Sequence, residues 1–81
     1  MWTLTKSKKD LNVLILKSNI RTKNDVEKVN QIFSQIECIK RWIVDLDDWE
    51  HVLKVECFVL SCENISVILE RFGYKCSELN H

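Results

Sequence analysis

Four cysteines (Cys38, Cys57, Cys62, Cys76) and two histidines (His51, His81) are the residues of this 81-residue chain best suited to making bonds. Thiolates could hold a soft metal, attack an electrophile or pair as disulfides. Their arrangement supports little of this. No Cys/His pair completes a zinc site around Cys57 and Cys62. No motif sets either histidine beside a cysteine, as an activated thiol nucleophile would need. Nothing marks secretion, so the cysteines are expected as free thiols rather than as a disulfide framework. His51 is expected as a solvated strand residue and His81 is simply the last residue.

A second candidate is the stretch "SNIRTKNDVEKV", residues 18–29. Arg21 and Lys23 could meet an anion, and Thr22 and Asp25 could meet a hard cation. A phosphate-cradling loop needs glycines that let backbone N–H groups close on the anion. "NIRTKND" has an arginine and no glycine, so a phosphate hydrolase is not expected and no catalytic residue is assigned. The simpler role for Thr22 and Asp25 is to satisfy orphan N–H groups at a helix start, where an acidic residue also suits the helix dipole. Either Thr22 with Asp25 or Asn24 with Glu27 has the spacing of a capping arrangement.

The elements that must position these residues follow from periodicity. "LNVLILKS" (11–18) is short, apolar and β-branched, and reads as a buried strand. Val26, Val29, Ile32, Phe33 and Ile36 make one apolar stripe of a helix of about three turns. "CIKRWIVDLD" (38–47) alternates, with Trp42, Val44 and Leu46 on one face and Arg41, Ile43 and Asp45 on the other. "DDWE" turns the chain, and "HVLKVEC" (51–57) returns. Ser61 reads as an N-cap for a second helix with the stripe Ile65, Ile68, Leu69, Phe72, and Gly73 as the residue that stops it. "YKCSEL" is a short last strand. The order β-α-β-β-α-β implies an α+β, ferredoxin-like sandwich: a four-stranded antiparallel sheet with both helices on one face. The whole chain is expected to be one domain, with residues 1–10 as an extension and 11–79 as the folded core.

Composition narrows the partners. Twelve basic and twelve acidic residues cancel. A nucleic-acid binder would show a net basic surface, so none is expected. No apolar run is long enough to span a bilayer, and the first residues lack the order of a signal peptide. The expectation is a cytoplasmic protein with no membrane partner.

Three stretches carry a resemblance to the heavy-metal-associated domain of copper chaperones, metal-transporting ATPases and mercury-binding proteins. They are "NIRTKNDVEKV" (19–29), "VDLDDWEHVLKVE" (44–56) and "ISVILERFGYKCSEL" (65–79). In that family the first stretch carries Cys-x-x-Cys leading into the first helix, the second is a Val-Asp-Leu hairpin, and the third ends its helix in Gly-Tyr. The resemblance implies the same fold and places the two metal-ligand positions at Thr22 and Asp25. Neither supplies a thiolate, and a carboxylate is a hard ligand unsuited to Cu(I). No bound metal or other cofactor is therefore expected. A displaced cluster of Cys38, Cys57 and Cys62, at the end of the sheet opposite this loop, is the alternative metal site; Cys76 lies near the old site but alone.

The open face of the sheet is the other place to look. Val13, Ile15, Ile43 and Val52 should point away from the helices and form one apolar patch, with Trp49 and Trp2 adding to it. Exposed apolar patches mark interaction surfaces; the first ten residues or long Lys and Arg stems could also cover this one. The expected role is a non-catalytic module that binds an unidentified protein or pairs with itself as a homodimer. A metal-binding protein of unusual thiol ligation is the alternative.

Overall fold

A computed structural model describes residues 11–79; the extension 1–10, with Trp2, and His81 lie outside the described residues. Strand β1 (Asn12–Ser18) leads through residues 19–22 into helix α1 (Lys23–Phe33). Strands β2 (Ile39–Val44) and β3 (Leu53–Cys57) follow, then helix α2 (Cys62–Glu70) and strand β4 (Cys76–Glu78). All pairings are antiparallel, and the strand order is β2-β3-β1-β4. Each β-α-β half thus gives one central and one edge strand, which is the split, ferredoxin-like arrangement.

Register explains which residues are buried. Leu16 faces Leu53 and Leu14 faces Val55 across β1 and β3, while Trp42 and Val44 face Val55 and Leu53 from β2. Directly opposed residues share a face, so these side chains form one apolar layer. Val29 and Phe33 of α1 and Ile65 and Leu69 of α2 pack on that layer with Leu16, Leu53, Val55 and Cys57. Both helices therefore lie on the same side of the sheet. The Phe33 and Trp42 rings meet edge to face with centroids 5.4 Å apart.

The helix ends are well specified. Ser61 caps α2 by a reciprocal exchange with Asn64, its hydroxyl accepting from the Asn64 N–H and its own N–H donating to Asn64 Oδ1. At the other end the Tyr74 N–H reaches Leu69 O and the Gly73 N–H reaches Glu70 O, each at 3.1 Å. These two bonds make a Schellman stop, with Gly73 at φ +91°.

Three local expectations are corrected. Phe72 is 59% exposed, because the chain leaves the helix before its side chain can join the buried stripe. The β2–β3 connection is longer than a tight turn and runs from Asp45 to Val52. It is held by Asp45 and Asp48 carboxylates accepting from the Asp47 and Glu50 N–H groups, each at 3.0 Å. His51 accordingly lies in that connection rather than in a strand, half-buried and at φ +47°.

Candidate functional site

Three loops meet at one end of the sheet. The Ser18 N–H donates to Glu50 O at 3.1 Å and its hydroxyl to His51 O at 2.7 Å, tying β1 to the β2–β3 connection. Asn19 and Lys75 exchange two bonds, Asn19 N–H to Lys75 O and Lys75 N–H to Asn19 Oδ1. Ile20 is fully buried and anchors the loop. Arg21 and Lys23 are exposed.

Of the two capping arrangements, the one formed joins Thr22 and Asp25. Thr22 Oγ1 accepts from the Asp25 N–H at 3.1 Å, and Asp25 Oδ2 accepts from the N–H groups of Arg21 and Thr22, both at 3.2 Å. The remaining carboxylate oxygen accepts from the Tyr74 hydroxyl at 3.1 Å. The Arg21 N–H, foremost, and those of Thr22 and the Tyr74 hydroxyl hold the Asp25 carboxyl below the usual carboxylate range against the opposing effect of burial. Burial and the Asp25 carboxylate push the Tyr74 hydroxyl up in turn. The Tyr74 contact spans 49 positions of sequence; sequence reasoning missed it, and the Gly-Tyr ending was its only signal.

Cys57 is fully buried at the end of β3, and its thiol points to Leu60 O at 3.9 Å. Burial pushes that thiol up, and the Cys38 and Cys62 thiols are near enough to add to the effect. Cys38 and Cys62 are half-buried. Cys76 stands alone at the start of β4, and burial pushes its thiol up to about 11. Among the described residues, no group of three or more His, Cys, Asp and Glu is placed to hold a metal ion.

On the open face, Ile43 is 65% and Val13 52% exposed, while Ile15 and Val52 are half-buried. The expected single patch is broken. Lys54 stands between Ile15 and Ile43, and Glu56 between Val13 and Arg41, because β3 lies between β1 and β2 and turns these two residues outward. The Arg41 guanidinium meets Glu56 at 3.1 Å. Trp49 is 85% exposed at the loop end. His51 Nδ1 is buried and has no hydrogen-bond partner among the described residues. No described helix is long and apolar enough to cross a membrane.

Comparison with family models, curated proteins and solved structures finds no match to this chain.

Proposed function

We propose that this chain is a divergent domain of the heavy-metal-associated type, without that family's metal ligands, serving as a non-catalytic interaction module in the cytoplasm. The observation that carries the reading is the closed set of bonds around Asp25. Both carboxylate oxygens and the Thr22 hydroxyl are taken up in starting α1 and fastening it to Tyr74. The positions that would bind a metal in the resembled family thus serve the fold. Exposed Ile43 and Val13, and the β2 edge, unpaired among the described residues, supply surface for a protein partner.

The test is Cu(I) binding by the fully reduced protein in competition with a strong chelator, with Zn(II) in parallel. The expected result is that neither metal is retained. One equivalent held against the chelator overturns the proposal and directs attention to Cys38, Cys57 and Cys62.

A further inference from the structure

We infer that β2 is a docking edge for a second copy of this chain, pairing antiparallel with its counterpart about a two-fold axis at Ile43. The inference rests on the interaction-module reading and names the partner.

The backbone sets the parity. Asp45 donates its N–H to Val52 O at 2.9 Å, so its amide points toward β3. Antiparallel ladders alternate, so Ile43 also pairs toward β3, while the N–H and C=O groups of Trp42 and Val44 point to the free edge. An axis at Ile43 sets Trp42 opposite Val44 of the second copy, and Val44 opposite its Trp42. Both are hydrogen-bonded pairs, so all four of these residues find partners for backbone groups that β3 does not use.

The side chains agree with that register. Arg41, Ile43 and Asp45 lie in sequence on the outer face, and the axis puts each Arg41 opposite an Asp45, on either side of an Ile43–Ile43 contact. Opposite charges facing each other across a strand pair are favourable. Arg41 reaches Glu56 of its own chain through Nε, and its side chain is 78% exposed, which leaves guanidinium donors for a second carboxylate. Moving the axis to Trp42 keeps the backbone parity but sets Arg41 against Ile43 and leaves Asp45 without its cation.

On the helix side a groove of about 500 Å³ runs beside the edge, lined by Val26, Asn30, Trp42, Val44 and Leu46 among others. Trp42 and Val44 of the second copy project to that same side, so the apolar layer continues across the axis. The irregularity between Ile39 and Arg41 ends regular pairing just beyond the Arg41–Asp45 contacts.

The test is sedimentation equilibrium of the reduced full chain, alone and as three variants, each checked for folding by circular dichroism. Wild type is expected as a dimer. Arg41→Asp gives a chain with acids at both facing positions, and Asp45→Arg one with bases at both; each alone turns two attractions into two repulsions and weakens the dimer by roughly tenfold or more. Mixing these two variants restores both pairs, so a heterodimer forms. Val13→Lys, on β1 and two strands from the edge, leaves the dimer intact. A monomeric wild type overturns the inference while leaving the module open to another protein. A dimer that survives both charge reversals, or is lost in Val13→Lys, overturns it in favour of a different self-contact. Metal retention in the Cu(I) experiment is a separate result, and it would overturn the underlying functional reading instead.

Discussion

If residues 19–25 follow the loop geometry of the resembled family, two thiols at 22 and 25 should suffice to create a Cu(I) site. The perturbation is the double substitution Thr22→Cys/Asp25→Cys. Without metal it removes the Thr22 hydroxyl that accepts the Asp25 N–H, and the carboxylate that accepts from Arg21, Thr22 and Tyr74. Loss of the Thr22 cap alone costs about 0.5–2 kcal/mol. In a domain of this size each kcal/mol lowers the melting temperature by roughly 4–8 °C. Loss of the cap alone therefore lowers the melting temperature of the metal-free variant by about 2–16 °C, and loss of the Asp25 bonds lowers it further. With free Cu(I) a thousandfold above its dissociation constant, binding adds about 4.1 kcal/mol, more than the cap is worth. The assay is thermal unfolding with and without Cu(I), buffered by a chelator under strict reduction. The expected pattern is destabilised apo, restored or exceeded with metal, and a wild type unchanged by metal. A folded variant that gains nothing from Cu(I) would refute the carry-over of the family's ligand positions to Thr22 and Asp25.

Other outcomes follow from single residues. Gly73→Ala should cost about 1–2 kcal/mol in chemical denaturation; φ is +91° and, chain neighbours aside, no atom of the described residues lies within 4 Å of the added methyl, so backbone strain dominates the effect. Val59 holds φ +56° with 78% of its surface exposed, so Val59→Gly should stabilise by about 0.5–1 kcal/mol despite the extra freedom of the unfolded chain. Asp25 keeps its charge to lower pH when folded than when unfolded, so its stabilisation is full above its ordinary value of 3.8 and is lost as pH falls through the lowered folded value. The stability gap between wild type and Asp25→Asn should accordingly be flat near neutrality and narrow below pH 3.8, read by urea melts across acid pH. Half-buried Cys76, its thiol pushed up to about 11, should resist iodoacetamide at pH 8 in the native state and react at an ordinary rate in urea, as mass spectrometry of timed samples would show; fast native labelling would contradict the raised thiol.

What was legible in the sequence was whatever repeats with the period of an element. The α1 stripe through Val29 and Phe33 and the inward set Leu53, Val55, Cys57 were readable because burial recurs every turn or every second residue. Caps were readable because Thr22–Asp25 and the Ser61 cap act within one turn, although two candidate pairs competed at α1 and Asn64 was not read as the partner of Ser61. Relations between strands were not. That Lys54 separates Ile15 from Ile43 depends on register, which no single strand encodes. Nor was positive φ at His51 and Val59 legible: valine disfavours it, histidine adopts it more often than most residues but not by rule, and closure of the surrounding loops imposes it. Phe72 has the right spacing for α2, but the Gly73 stop acts first.

The three-residue length of β4 decides how far the sheet can grow. A β-sheet with two long free edges can recruit copies at both and polymerise. Here one outer strand spans six residues and the other only Cys76–Glu78, with a carboxylate at its last position. Pairing through β2, as inferred above, would consume the longer of the two outer edges among the described residues. If β2 pairs as inferred, the expected assembly has a valency of one and terminates at a closed pair instead of a fibre.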